Sequence, residues 1–303
     1  MPQEQKIPWP YLDPRVQERL TNLHLVARQA VEGVRVGMHK SPLRGFSTEF
    51  AMHRPYVPGD ELRHLDWRVY ARTHRYYLKQ HQAETNFTAY LLLDASRSMH
   101  YGSQKLTKLE YAKYMAVSLA YLVLEQRDSV GLAVFDSELR QYVEPKSQLS
   151  VVKVLGEELL KTQPQPRTDV AALLHEFAQR IKRRGFVILF SDLFDHVEEF
   201  LKGLDHLRFR GHNVIVFHIM DPHELEFPFE GSVKFIGLEN EGEIVTLPKR
   251  VRQTYMDELR QFLVRVKTGC DRRRVDYVLV NTARSLEAVL TGFLAARRQF
   301  RLR

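Results

Sequence analysis

The sequence is poor in cysteine, and Cys270 is the one thiol among its 303 residues. A single cysteine cannot form an internal disulfide, which fits a reducing compartment. Long apolar runs are also missing: stretches such as residues 115–124 fall far short of the ~20 residues that span a bilayer. The first ten residues are polar and lack the apolar segment of a secretory signal. We therefore expect a cytoplasmic protein without a membrane span.

Several enzyme motifs are absent from the sequence. No phosphate loop ending in Gly-Lys-Ser or Gly-Lys-Thr is present, so we expect that the chain does not hydrolyse ATP itself. Residues 45–49 lack the second glycine of a nucleophile elbow. His175 and Glu176 begin a zinc-peptidase motif, but Gln179 stands where the second histidine is needed. We interpret the histidines as surface or hydrogen-bonded side chains, not as ligands.

The net charge of +8 is carried partly by short basic clusters at residues 180–184, 272–274 and 297–303. Such an excess is compatible with binding to nucleic acid, to an anionic membrane or to an acidic protein. Solvated helix faces also explain the clusters, and we favour that interpretation. No nucleic-acid-binding motif accompanies the clusters, so we rank nucleic acid last among the partners.

The pattern of residues divides the chain into residues 1–84 and residues 85–303. Residues 1–40 show apolar side chains at helical spacing after Asp13 and Pro14, which can start a helix. Residues 41–84 are rich in Arg, Tyr and Pro and predict short strands and turns.

From residue 85 onward, apolar strands alternate with amphipathic helices. We predict strands at 87–93, 129–135, 139–143, 186–190, 214–219, 233–236 and 275–280. The intervening helices are predicted near 109–123, 151–159, 170–181, 197–209, 250–267 and 285–298. This alternation predicts an α/β fold with a doubly wound, mostly parallel sheet flanked by helices.

Hydroxyl and carboxylate groups follow two of the predicted strands. Asp94, Ser96 and Ser98 come directly after one strand, and Asp192 follows another. Thr168 precedes a predicted helix, where its hydroxyl can cap the helix or coordinate an ion. Ligands of doubly wound sheets bind beyond the carboxyl ends of the strands. Five oxygen donors without Cys or His suit Mg²⁺, or Mn²⁺, and an open position could take a carboxylate from a partner. A metal-free, capped loop is the alternative.

The loop Asp94-x-Ser96-x-Ser98, with the later Thr168 and Asp192, resembles the metal-ion-dependent adhesion site of von Willebrand factor A domains. An upstream segment contains Arg54, Tyr56, Pro58, Gly59, Asp60, Arg63, Asp66, Trp67 and Arg72. These residues resemble the signature of the bacterial domain of unknown function 58 family, in which the signature precedes such a domain. The residues before Thr168, Pro166 and Arg167, depart from the glycines common in A-type domains.

The resemblance implies a non-enzymatic adaptor that works with a MoxR-type AAA+ ATPase and binds an acidic protein ligand through the metal. Two other functions remain open from the residues alone. A metal-assisted hydrolase could use Asp169 or Asp195 as a base, and a nucleic-acid binder could use the basic clusters. The signature segment itself is either a docking surface or, as we slightly favour, a structural set of buried pairs. In that set Arg54, Arg63, Arg68 and Arg72 pair with Asp60, Glu61 and Asp66.

Overall fold

The computed structural model describes residues 47–57, 65–84, 87–136, 138–162, 170–194, 197–238 and 242–300. These residues form two compact units, one that ends at Phe87 and one that begins at Thr88. The helix predicted within residues 1–40 lies outside the described residues. The predicted domains, 1–84 and 85–303, therefore stay predictions.

The smaller unit contains two antiparallel strands, β1 (Ser47–Pro55) and β2 (Tyr77–Glu84), and a helix, α1 (Trp67–Thr73). The strands agree with the predicted short strands, but the helix was not predicted. Asp66 starts it, because its Oδ1 accepts hydrogen bonds from the backbone N–H groups of Arg68 and Val69, at 3.0 and 3.2 Å. Seven residues are too few to show a clear helical period in the sequence.

The described part of the larger unit has eight strands. Their bounds are β3 (Thr88–Asp94), β4 (Ser129–Phe135), β5 (Leu139–Lys146), β6 (Phe186–Ser191), β7 (Asn213–Met220), β8 (Val233–Ile236), β9 (Glu243–Thr246) and β10 (Asp276–Asn281). Six of them form one sheet in the order β10-β7-β6-β3-β4-β5, in which only β5 is antiparallel to its neighbour. The strands β8 and β9 pair with each other as a hairpin. The predicted α/β fold is confirmed.

Helices alternate with these strands along the chain. Their bounds are α2 (Lys108–Glu125), α3 (Val151–Lys161), α4 (Val170–Arg180), α5 (Val197–Phe209), α6 (Pro222–Glu226), α7 (Pro248–Arg272) and α8 (Leu286–Phe300). A capping box starts α2, because Thr107 and Glu110 each accept a hydrogen bond from the other's backbone N–H. Two short elements, α6 and β9, were not predicted. Within the described ranges, no helix combines the length and apolarity needed to cross a bilayer.

The strand order places a switch point at the centre of the sheet. The chain runs from β3 outward through β4 to β5, then returns to β6 and runs outward through β7 to β10. All seven residues of β3 are buried, as expected for a parallel strand that is covered on both faces. The carboxyl ends of β3 and β6 are therefore neighbours, and a doubly wound sheet binds its ligands at such a point.

Candidate metal centre

Asp94 ends β3 and lies beside Ser191, the last residue of β6. The parallel register pairs Leu93 with Phe190, so the next residue of each strand emerges at the same edge. The Ser191 hydroxyl donates a 2.6 Å hydrogen bond to Asp94 Oδ2. The backbone N–H of Ser96 donates to Asp94 Oδ1 at 2.9 Å. These contacts fix a carboxylate that is only 1% exposed.

The two predicted serine ligands also lie together. Ser96 Oγ and Ser98 Oγ are 2.9 Å apart, and Ser98 begins a short 3-10 turn, Ser98–His100. Ser96 is buried and Ser98 is half-buried. The loop after β3 therefore brings the carboxylate of Asp94 and two hydroxyls to the carboxyl edge of the sheet, as the sequence predicts.

Asp192 follows β6 and faces a different partner. Its Oδ2 accepts a 2.8 Å hydrogen bond from Lys108 Nζ, and its Oδ1 accepts one from the backbone N–H of Phe194 at 3.3 Å. The residue between them, Leu193, has a φ of 54°, a left-handed conformation that costs energy for a branched side chain. The chain turns here, and the hydrogen bond from the Phe194 N–H to the Asp192 carboxylate spans this turn.

Burial raises the pKa of Asp94 to about 7, and the nearby negative charge of Asp192 adds to the increase. The hydrogen bonds from Ser191 and Ser96 act in the opposite direction, because they stabilise the charged form. The two carboxylates thus repel each other in a poorly hydrated place, and a cation between them would relieve that repulsion.

Lys108, the first residue of α2, is the unexpected member of the site. Its side chain is fully buried, and Nζ contacts Asp192 at 2.8 Å and Glu224 at 2.6 Å. Burial is the largest single influence and lowers the pKa of Lys108. The carboxylates of Asp192 and Glu224 together outweigh it, so the net pKa is raised and the ammonium stays charged.

A sequence signal existed for Glu224 but not for Lys108. Asp221, Pro222 and Glu224 follow β7 with the spacing of a capping box and a proline at the first helical position. The structure forms that box, in which the Asp221 N–H donates to Glu224 Oε2 at 2.8 Å. Lys108 pairs with residues 84 and 116 positions away, and no local pattern reveals such distant partners.

The donor set fits a small divalent cation. Asp94, Asp192 and Glu224 are three acidic side chains with one buried lysine, Lys108, in contact with two of them. Carboxylate and hydroxyl oxygens are ligands that Mg²⁺ accepts. Across the described ranges, no cluster of three or more His, Cys, Asp or Glu side chains could hold a metal. The predicted set therefore relies on the hydroxyls of Ser96 and Ser98 in addition to the carboxylates.

The remaining predicted site residues divide into two groups. Thr168, Asp169 and Asp195 lie outside the described residues, as do Pro58, Gly59, Asp60, Glu61 and Arg63. Arg54 is placed in β1 opposite Leu78. Tyr56 lies edge-on to Tyr76, with ring centroids 6.2 Å apart.

We interpreted the arginines of the signature segment as members of buried ion pairs, and the structure shows that this is wrong for two of them. Arg68 and Arg72 are exposed on α1, so neither takes part in a buried ion pair. Asp66 is buried and serves as the helix cap. Trp67 is 62% exposed. Its place on an exposed helix face leaves the docking interpretation open.

Two chemically reactive residue types lie away from this centre. His175 is exposed on α4, with its Nδ1 2.6 Å from Nδ1 of His206 on α5. Cys270 is buried in the core between α7 and the sheet. Burial raises the pKa of the Cys270 thiol to about 12, so the thiol stays protonated and unreactive at neutral pH.

The sequence is similar to that of a family of known proteins. A family described as "Protein of unknown function DUF58" matches residues 52–262. An uncharacterized protein of Mycobacterium tuberculosis is 26% identical over 229 residues, which cover 73% of this chain and 70% of that protein.

Solved structures with a similar arrangement have low sequence identity. The conserved hypothetical protein BatB from Bacteroides thetaiotaomicron is 18% identical, with a TM-score of 0.46 over 70% of this chain and 99% of BatB. The VWA domain of SpRpn10 is 11% identical, with a TM-score of 0.39 over 67% of this chain and 93% of that domain.

Proposed function

The chain belongs to the DUF58 family, and from that premise we propose that it is a non-enzymatic adaptor that captures an acidic side chain of a partner protein through a bound Mg²⁺. Asp94, Ser96 and Ser98 are the residues that hold the ion in this proposal, with Asp192 acting through water and Thr168 as a fifth ligand. Mn²⁺ is the alternative ion. When bound, the ion supplies an open coordination position for the partner's carboxylate.

One observation carries the proposal: the carboxylate of Asp94 and the hydroxyls of Ser96 and Ser98 lie together at the switch point of the sheet. The surroundings of Asp94 support it, because burial and the nearby Asp192 raise the pKa of Asp94, and a bound cation would stabilise its charged form. Neutral hydroxyl ligands reduce the charge of the ion less than carboxylates do. The ion therefore keeps its attraction for an external acid.

We assign the ATPase partner from the family resemblance. A MoxR-type AAA+ ATPase is the expected partner, and the adaptor links it to client proteins during their assembly or maturation. The test measures, by surface plasmon resonance, the binding of a purified MoxR-type ATPase from the same organism to the immobilised chain. Asp94→Ala distinguishes metal-mediated contact from other contacts without removing the Mg²⁺ that the ATPase needs for its own nucleotide.

The expected result is binding by the wild-type chain and its loss in Asp94→Ala, with Asp257→Ala as the control. Asp257 is a surface carboxylate on α7 with a local partner, Arg260, three residues away. Equal binding by wild type and Asp94→Ala would remove the metal from this contact. Absence of binding by the wild type would remove the ATPase from the proposal.

A further inference from the structure

An apolar cavity lies directly beside the candidate metal centre. Its volume is 260 Å³, which is below the roughly 300–1,000 Å³ typical of small-molecule sites. The walls come from the loops after β3 and β6, from α6 and α7, and from the β8–β9 hairpin. The wall residues used below are Ser98, Phe194, Glu224, Phe227, Ile236 and Leu238. A space of this size and composition suits one large apolar side chain.

The cavity and the metal centre share residues. Ser98 lines the cavity, and its hydroxyl lies 2.9 Å from Ser96 Oγ in the predicted ligand set. Glu224 lines it as well and binds Lys108, which in turn binds Asp192. The Lys108 ammonium also lies 5.0 Å from the ring centre of Phe194, another wall residue. A group bound at the metal and a group in the cavity are therefore neighbours.

The rim of the cavity is unusually apolar for a solvated surface. Phe194 is 53% exposed on one side, and Ile236 and Leu238 are 61% and 41% exposed on the other. Exposed apolar groups that surround an apolar hollow are typical of a surface that another protein covers.

The floor of the cavity is held in place by stacked rings. The Phe227 ring stacks on Tyr255 at 4.5 Å and on Phe235 at 5.7 Å. Phe227 has a φ of 48°, an unfavourable conformation for an aromatic residue that its surroundings must enforce. Its backbone N–H closes α6 by donating to the His223 carbonyl at 2.9 Å. The floor is thus formed before a ligand arrives, which lowers the cost of binding.

We propose that this cavity is the second subsite for the partner segment and takes a large apolar side chain, such as Phe, Leu or Met, within two residues of the metal-bound acid. The proposal rests on the proposed function, because it places the acid at the metal. Ser98 belongs to both subsites, so the two partner side chains are close neighbours in sequence. In an extended segment, side chains two residues apart lie on one face. The exposed Arg97, between the two site serines, complements an acidic segment.

The test uses the full chain and fluorescein-labelled nine-residue peptides with a central Glu in a Gly/Ser background. Four peptides each carry one Phe, which stands two or one residues before the Glu, or one or two residues after it. Reference peptides replace Phe by Ser, or Glu by Gln. Fluorescence anisotropy in Mg²⁺ should show that at least one Phe peptide binds roughly tenfold more tightly than its Ser counterpart.

The chain offers a matched pair of variants for the same assay. Ile236 and Ile244 are exposed isoleucines on the two paired strands of one hairpin, at 61% and 65%, but only Ile236 lines the cavity. Ile236→Ser should weaken binding of the Phe peptide by roughly fivefold and leave binding of the Ser peptide unchanged. Ile244→Ser should change the affinity of neither peptide.

The possible outcomes separate the two proposals. Mg²⁺-dependent binding of Glu peptides without any gain from Phe would overturn the cavity proposal and leave the metal function standing. Phe peptides that bind equally with EDTA and with Gln in place of Glu would refute the link to a metal-bound acid, and with it the proposed function. A dimer seen by sedimentation velocity that Ile236→Ser dissociates, without peptide binding, would assign the cavity to a second copy of the chain. Absence of binding by every Phe peptide would also overturn the proposal.

Discussion

Replacing Lys108 by Met should destabilise the larger unit strongly. The side chain of Lys108 is completely buried, and its ammonium is 2.8 Å from Asp192 and 2.6 Å from Glu224. Methionine fills a similar volume without the charge. The substitution therefore isolates the loss of the charge and leaves two carboxylates without their buried partner.

The magnitude follows from the burial of the three groups. The side chains of Asp192 and Glu224 are 2% and 14% exposed, so water can solvate neither carboxylate well after the ammonium is removed. Breaking a buried ion pair in this way typically costs about 3–5 kcal/mol of unfolding free energy. For a unit of this size, such a loss lowers Tm by roughly 10 °C.

The assay is urea unfolding followed by far-ultraviolet circular dichroism, without divalent ions and then with excess Mg²⁺. The control is Lys202→Met, because Lys202 pairs with Glu199 on the surface, where the two side chains are 66% and 54% exposed. That pair should contribute less than about 1 kcal/mol. Adding Glu224→Gln to Lys108→Met should recover part of the loss, since one of the two unpaired carboxylates then has no charge.

Mg²⁺ should also stabilise Lys108→Met more than it stabilises the wild type. Without the ammonium, the site loses one positive charge next to its carboxylates, which favours the binding of a divalent ion. If Lys108→Met lowers the unfolding free energy no more than Lys202→Met does, then Lys108 does not stabilise the fold through these carboxylates. Equal stabilisation of both proteins by Mg²⁺ would show that the ammonium and the ion do not act on the same charges.

Two further predictions concern the core of the same unit. The Cys270 thiol, whose pKa burial raises to about 12, should not react with Ellman's reagent at pH 8 in the native protein and should react stoichiometrically in urea; a fast native reaction would contradict its burial. Gly185→Ala should lower the unfolding free energy by about 1–3 kcal/mol, because an added Cβ would lie 2.1 Å from the Thr88 carbonyl oxygen. The control is Gly292→Ala on α8, where an added Cβ would have no atom within 4 Å. It should stabilise the helix by up to about 1 kcal/mol. Equal urea midpoints for the two variants would contradict the crowding at Gly185.

The elements that the sequence predicted best are those with long apolar patterns. The bounds of β4 (Ser129–Phe135) and α5 (Val197–Phe209) agree with the prediction, because a buried parallel strand and an amphipathic helix each have a distinct pattern. The short helix α1 and the exposed strand β9 were missed because neither has enough buried residues to create one. The helix α6 was predictable in principle from the capping box of Asp221 and Glu224.

The candidate site shows the same division between local and distant information. Asp94, Ser96 and Ser98 are close in sequence and follow one strand, so their meeting could be predicted from the chain alone. The role of Lys108 could not, because it depends on three elements that only the folded sheet brings together. The cavity likewise depends on the hairpin lying beside the loop after β6.

The most direct test of the account is calorimetric titration of Mg²⁺ into the wild-type chain and into Asp94→Ala, with circular dichroism to show that both are folded. Asp94 provides the buried carboxylate of the predicted ligand set, and its removal leaves the hydroxyls of Ser96 and Ser98 without a charged ligand beside them. The account predicts saturable binding at one site in the wild type and none in the folded variant. Absence of binding in the wild type, or equal binding in both proteins, would contradict it.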